Sequence, residues 1–320
     1  MERRSMIIAE ELDQELISKI KNIIPDWNVY TGKDSTVWEK HIQDAEVIAG
    51  WNKQIAESCL QNGTKLKWIQ SWSAGVDSYP IDSFAKHDIL LTSANGVHAF
   101  PISETIFAMM LSLTRKIHAY VQNMSERVWK HESLKLELHN KTIGILGVGA
   151  IGTETAKIAK AFGMHVIGIR NAKKPASYFD EIATMDELHD LLPKCDYVVV
   201  TLPLTDQTYH IFGEEAFNKM KDSSFFINIG RGQLVDEPAL IKALQEKQIA
   251  GAGCDVFEQE PLPYESPLWN MDNVIITPHT AGSTEYYHQR VVDDILIPNL
   301  LQYLNGHTPS VNLVDYKRGY

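Results

Sequence analysis

The chain has 320 residues, a hydrophobic fraction of 44% and a formal net charge of −11. That length allows one or two domains with sizeable cores, and the acidic balance argues against a nucleic-acid surface. No apolar run reaches membrane-spanning length, the N-terminal residues have no signal-peptide pattern, and Cys59, Cys195 and Cys254 form no CxxC pair, so a cytoplasmic location without disulfides is expected.

Apolar, β-branched runs predict strands over 5–9, 27–30, 47–49, 68–71 and 89–92, alternating with helices over 12–23, 36–43 and 54–61. This alternation belongs to an α/β unit with a parallel sheet. Trp51 follows the third strand, and Trp72-Ser73-Ala74-Gly75-Val76-Asp77 follows the fourth. Both therefore fall at the carboxyl edge of the sheet, where such folds bind ligands. For Trp51 a place in the core competes equally with a substrate contact, and for the second turn a plain turn capped by Asp77 is the lesser alternative.

Ile102, Ile106, Met109, Met110, Leu113 and Ile117 recur at helical spacing and predict one long helix over 101–124. A helix of that length serves as a core element, a link between domains or a dimer face.

Next comes an apolar strand, 142–146, then Gly147-Val148-Gly149-Ala150-Ile151-Gly152, then a helical pattern through Phe162. Strand, glycine turn and helix stand in the order of a dinucleotide-binding unit. Gly147 permits the sharp turn, Gly149 lets backbone approach a pyrophosphate, and Gly152 lets the helix pack close. The N–H groups at Ala150 and Ile151 then open the helix toward the phosphates. Further strands are predicted over 165–169, 197–201, 225–229, 250–254 and 274–276, with helices over 185–192, 214–220 and 237–245. A last helix over 285–304 returns the chain to the first domain. The expected architecture is α/β: two Rossmann-like, doubly wound parallel-sheet domains with a cleft between them. Residues 1–98 and 288–320 form the substrate domain, and 99–287 the dinucleotide-binding domain.

The strand ends of the second domain carry the chemistry. Gly230-Arg231-Gly232 follows one strand, Asp255-Val256-Phe257-Glu258-Gln259-Glu260-Pro261 the next, and Thr277-Pro278-His279 the last. The stretches GVGAIG, LPLTDQTYHIF, INIGRGQLVDEPAL, GCDVFEQEPLP and TPHTAG, with SAGVDS upstream, run in one order over most of the chain. In these the chain resembles the D-2-hydroxyacid dehydrogenase family. The resemblance implies a catalytic Arg, Glu and His, which fall by motif position on Arg231, Glu260 and His279; Glu258 matches a position without that role. It also implies that backbone N–H groups of Gly75 and Val76 bind a substrate carboxylate, that Asp255 is the acid near the nicotinamide, and that the protein is a homodimer. Pro203, Ile229 and Gly230 lie where backbone would line the cofactor cleft. His98, His210 and His288 read as structural or surface residues, and no HExxH pattern suggests a metal.

The implied chemistry is coherent. A 2-keto acid takes hydride at its carbonyl carbon, and the growing negative charge on oxygen needs a proton. An imidazolium at His279 supplies one, and a carboxylate at Glu260 stabilises and orients it. The planar fork of Arg231 suits a carboxylate and polarises the ketone.

NAD enzymes usually carry an acid on the ribose roughly twenty residues past the glycines. Here that place reads Ile169-Arg170-Asn171-Ala172-Lys173-Lys174. Arg170, with Lys173 or Lys174, suits a 2′-phosphate, so NADP is favoured and NAD possible. The leading expectation is a reductase of a small 2-keto acid of the glyoxylate or hydroxypyruvate type, giving the D-2-hydroxy acid. The alternatives are an NAD-linked dehydrogenase of another substrate, such as phosphoglycerate, and a corepressor-like scaffold that senses the cofactor.

Overall fold

The computed structural model describes residues 3–60, 64–76, 78–131 and 136–317. Asp77 and the last residue of the helix expected over 54–61 lie outside them. The chain divides into two units, Met1–Val97 with Thr284–Tyr320, and His98–Ser283.

In the first unit, strands β1 (Ser5–Ile8), β2 (Asn28–Thr31), β3 (Val47–Ala49), β4 (Trp68–Gln70) and β5 (Leu90–Thr92) form a sheet in the order β2-β1-β3-β4-β5. Every pairing is parallel. All four residues of β1 are buried, as expected of a parallel strand covered on both faces. Helix α1 (Gln14–Ile23) starts at Asp13, whose carboxylate accepts from the Leu16 N–H at 2.8 Å. Helix α2 (Lys53–Cys59) is capped in the same way by Asn52, and α3 (Ile81–Lys86) was not predicted.

The helix expected over 36–43 is two short 3₁₀ segments, Ser35–Val37 and Glu39–Asp44, separated at Trp38. Trp38 is 1% exposed and its indole N–H donates back to the Gly32 carbonyl at 3.0 Å. Burying that ring breaks a register already weakened by Thr36 and Val37. The returning segment is helical from Tyr287 to Leu304, with a π stretch at Val291–Leu296. Pro298 lacks an N–H and its ring opposes the carbonyl one turn back, which accounts for the widened turn.

The second unit opens with α4 (Ala99–Arg115) and α5 (Ile117–Ser125). The single helix expected over 101–124 is therefore broken, at Lys116, which takes a left-handed φ of 56°. The two parts differ in environment. α4 buries nine residues in the core, and Thr114 locks its end by bonding Met110 and Tyr197. α5 buries none.

The sheet that follows holds β6 (Thr142–Leu146), β7 (His165–Ile169), β8 (Glu181–Ala183), β9 (Tyr197–Val200), β10 (Phe225–Asn228), β11 (Gly251–Cys254) and β12 (Val274–Ile276). Its order is β12-β11-β10-β9-β6-β7-β8, all parallel. Strand β8 was not predicted, because three residues on the sheet edge carry no readable period. Helices α6 (Ala150–Ala161), α7 (Leu188–Leu191), α8 (Glu214–Lys219) and α9 (Glu237–Gln245) connect the strands. The strand order reverses between β6 and β9, and ligands of such sheets bind at the carboxyl ends beside that reversal. The unit limits differ from those expected: His98 goes with the second unit, where its ring bonds the Gly282 carbonyl at 2.9 Å. Residues 284–287 go with the first unit, where the Tyr287 hydroxyl donates to the Trp72 carbonyl.

Candidate active site

The glycine turn sits at the end of β6, beside the reversal. Gly147 takes a φ of +105°, and a Cβ there would meet the Thr201 hydroxyl at 2.6 Å. A Cβ on Gly152 would lie 1.9 Å from the Gly147 carbonyl, so the first turn of α6 packs directly on the loop. A Cβ on Gly149 would meet nothing within 4 Å. The turn thus opens outward at Gly149, while α6 starts there with no side-chain cap and no acid in its first turn. Ala150 and Ile151 supply N–H groups of that first turn. An anionic pyrophosphate fits this combination of open space, free donors and helix dipole.

Beyond β7, Arg170 is half-buried, its backbone N–H bonded to Ala183 of β8 at 3.1 Å. Its guanidinium has no hydrogen-bond or ion-pair partner among the described residues. Lys173 is different: its ammonium lies 2.9 Å from Glu187. Glu187 also accepts from the Thr184 N–H at 2.9 Å and the Thr184 hydroxyl at 3.0 Å. The Thr184 N–H first, then Lys173 and the Thr184 hydroxyl, hold the Glu187 carboxyl down at about 2. Lys173 therefore already balances a carboxylate, whereas the Arg170 guanidinium has no such partner among the described residues.

Pro203 is exposed after β9, and its carbonyl accepts from the Thr208 hydroxyl at 2.8 Å. Ile229 and Gly230 are buried where β10 ends. Asn228, which sequence reasoning passed over, organises the next turn with both ends of its amide. Its oxygen accepts from the Gly230 N–H and its nitrogen donates to the Arg231 carbonyl, each at 3.1 Å. Arg231 is half-buried and donates to the Gly230 carbonyl at 2.9 Å.

Gly232 then passes under the segment after β11, so closely that a Cβ would stand 1.9 Å from the Phe257 carbonyl. The arginine turn and the glutamate loop are therefore in direct backbone contact. Glu260 bonds the Phe257 N–H through Oε1 at 3.1 Å and the His279 ring Nδ1 through Oε2 at 2.7 Å. His279 has a left-handed φ of 53°, a conformation that a non-glycine residue keeps only when its surroundings hold it.

Asp255 does the holding. It is 2% exposed, and its carboxylate accepts from the Thr277 hydroxyl (2.5 Å), the Thr280 N–H (2.9 Å) and the Ala281 N–H (3.0 Å). Its carbonyl accepts from the His279 N–H at 2.8 Å. Asp255, expected as the acid near the nicotinamide, braces the loop that presents His279. Next to it, burial pushes the Cys254 thiol up to about 12, which removes it as a nucleophile. Sequence reasoning also left His210 and Glu258 without a role, yet their side chains are paired; no local pattern announces a contact across 48 residues.

In the first unit, Val76 is 2% exposed and Gly75 half-buried after β4. The turn is anchored at Ser71, which accepts from the Tyr79 hydroxyl at 2.8 Å, and at Trp72, whose indole donates to His288 at 2.9 Å. Trp51 stacks on Tyr79 at 5.4 Å and meets the edge of Phe84 at 5.1 Å. The ring is thereby packed, partly buried, against the core of the first unit.

Comparison with known proteins identifies the family. The family described as D-isomer specific 2-hydroxyacid dehydrogenase, NAD binding domain, matches residues 107–281. Glyoxylate/hydroxypyruvate reductase B of Escherichia coli is 34% identical over 310 residues, covering 94% of this chain and 95% of its own. A D-isomer specific 2-hydroxyacid dehydrogenase family protein of Aeromonas salmonicida superposes with a TM-score of 0.85 at 31% identity, over 98% of this chain and all of that one (100%). The NADPH-dependent glyoxylate/hydroxypyruvate reductase of Sinorhizobium meliloti, solved with NADP and sulfate, superposes with a TM-score of 0.80 at 27% identity, over 99% and 100% of the two chains.

Proposed function

Since the chain belongs to the D-isomer specific 2-hydroxyacid dehydrogenase family of oxidoreductases, we propose that it reduces a small 2-keto acid of the glyoxylate or hydroxypyruvate type to the D-2-hydroxy acid, using NADPH. The observation that carries this reading is the Glu260–His279 pair, braced by Asp255 at the sheet edge that holds the glycine turn.

Gly147, Gly149 and Gly152, with the first turn of α6, would hold the pyrophosphate, and Arg170 the 2′-phosphate. When bound, the nicotinamide supplies the hydride. The rest falls to the protein. Arg231 holds the carboxylate and draws charge toward the carbonyl oxygen. Because Nδ1 of His279 faces Glu260, Nε2 is the atom that delivers the proton. Glu260 stabilises the imidazolium and keeps the ring from rotating. In the first unit, the backbone N–H groups of Gly75 and Val76 are proposed to bind a carboxylate, with Trp51 a lesser contact.

The substrates and cofactor for which the relatives are named support the choice of keto acid and of NADPH. We propose a homodimer formed through α5, where Ile117, Val121 and Met124 are exposed at helical spacing. Cytoplasmic residence suits the three free, buried cysteines. No helix among the described residues is long and apolar enough to cross a membrane.

The test is NADPH absorbance loss with glyoxylate, hydroxypyruvate, pyruvate and phenylpyruvate, repeated with NADH. Turnover of glyoxylate or hydroxypyruvate, faster with NADPH, is expected. Oxidation of phosphoglycerate with NAD in place of such turnover would favour the dehydrogenase alternative. Cofactor binding with no turnover of any substrate would favour a sensing scaffold.

A further inference from the structure

Another histidine–carboxylate pair of the same unit lies outside the chemistry assigned above. Nε2 of His210 bonds Oε1 of Glu258, and both side chains are about one-third exposed (32% and 30%). The pair ties two segments far apart in sequence: the turn after β9, which carries His210, and the loop after β11, which carries Glu258 and Glu260.

Glu258 is held on every polar atom but one. Its carbonyl accepts from the Gln233 amide at 3.2 Å, and its N–H donates to Glu237 at 3.3 Å. Its carboxylate takes His210. His210 has a left-handed φ of 50°, its own N–H donates to the Gln233 carbonyl at 2.9 Å, and its ring stacks on Tyr209 at 4.0 Å. A non-glycine residue persists there only when its neighbours over-determine it. Gln233 belongs to the turn that begins with Arg231, so one small network joins the arginine turn, the His210 turn and the glutamate loop. Two residues on, Glu260 makes its bonds to Phe257 and His279.

An exposed ion pair placed only for stability contributes little. This one stands where the aim of Glu260 is decided. Resting on the role of Glu260 proposed above, we infer that His210–Glu258 is a positioning pair for the reduction: it sets where the Glu260 carboxylate meets His279, without itself touching substrate or cofactor. Burial raises the neighbouring Glu237 carboxyl above its usual range. Among the described residues, the side chain bonded to the Glu258 carboxylate is His210.

The test compares the parent with Glu258→Ala, Glu258→Gln, His210→Gln and Glu260→Gln, and with Glu258→Ala in the Glu260→Gln background. Readouts are kcat, KM for the best keto acid, NADPH affinity and melting temperature. Because a displacement of about 1 Å at a catalytic group costs up to about 100-fold, a partial loss of aim in Glu258→Ala should lower kcat about tenfold. KM and NADPH affinity should stay within about twofold. Glu258→Gln, which keeps an oxygen for the His210 N–H, should recover most of that kcat. In the Glu260→Gln background, Glu258→Ala should add less than about a twofold loss, since residues acting through one another are not additive. Parental kcat in Glu258→Ala, or full additivity with Glu260→Gln, would overturn the inference. Should Glu258→Ala fail to fold, parental kcat in His210→Gln overturns it and a lowered kcat at constant KM supports it. A parent that turns over no keto acid would instead sink the proposed reaction, and the positioning role would fall with it.

Discussion

Gly232→Ala is the sharpest probe of how the arginine turn meets the glutamate loop. The added methyl would sit 1.9 Å from the Phe257 carbonyl carbon and oxygen and 2.4 Å from the Glu258 nitrogen. Real Cβ contacts essentially never fall below 3.0 Å, so the two segments must part by at least about 1.1 Å, the difference between 3.0 and 1.9. All three clashing atoms are backbone, and no side chain can rotate away. Gly232 is not in the left-handed region, so alanine is acceptable to the local backbone and the whole penalty is steric. Overpacking of this kind costs about 1–3 kcal/mol, offset by about 0.4–1 kcal/mol from the lower entropy of the unfolded alanine chain. A net loss of about 1–2 kcal/mol lowers the melting temperature by about 2–8 °C for a unit of this size. Activity should suffer more. Moving Arg231 about 1 Å relative to Glu260 and His279 should cost about 100-fold in kcat, or about 2.7 kcal/mol of barrier. The glycine turn after β6 is untouched, so NADPH affinity should hold within about twofold. Steady-state kinetics, NADPH titration and thermal melts on one preparation measure all three. A variant with kcat within about threefold of the parent and an unshifted melt would refute the claim that these backbones are locked.

Replacing His279 with alanine should lower kcat by about 10²–10⁴-fold, the usual weight of a general acid, while NADPH still binds; unchanged turnover would remove its role. Arg231→Ala should raise KM and lower kcat together, and Arg231→Lys should not restore them, because a point charge cannot replace a two-pronged donor; a normal KM in Arg231→Ala would argue against a carboxylate clamp. Arg170→Asp should shift the NADPH/NADH ratio of kcat/KM strongly toward NADH, and an unaltered ratio would mean that the phosphate is read elsewhere. Glu187 titrates at about 2 in the folded chain, below its ordinary value of about 4.3. A carboxyl with a lowered folded value adds stability that is fully present above pH of about 4.3 and fades as pH falls toward about 2. The drop in urea midpoint from pH 5 to pH 3 should therefore be smaller in Glu187→Gln than in the parent, and equal drops would contradict the assignment.

Much of this molecule could be read in one dimension. Most of these parallel strands are buried, apolar or β-branched runs, and eleven of the twelve strands among the described residues were expected from the sequence. The glycine turn was legible because each glycine answers a local need: a positive φ at Gly147, an open face at Gly149, a helix laid on the loop at Gly152. Where local preference and packing disagreed, packing prevailed. Trp38 interrupted an expected helix to bury its ring, and the expected long helix broke at Lys116, where buried α4 gives way to exposed α5. Strand β8 escaped notice because pairing with β7, not composition, makes it a strand.

The residues of the proposed keto-acid reduction were thus legible along the chain, through motifs that resemble the family's, set after strands marked by hydrophobic period. The partners of those residues were not. Asp255 holding the His279 loop, Asn228 shaping the turn of Arg231, Lys173 bound to Glu187, and His210 joined to Glu258 are all pairings across sequence or through backbone contacts. Such pairings depend on which strands lie side by side and how closely their loops pass. Hydrogen bonds and steric contacts act over a few ångströms of space, whereas sequence patterns report only neighbours along the chain, so the bracing of the site became visible only once the chain had folded.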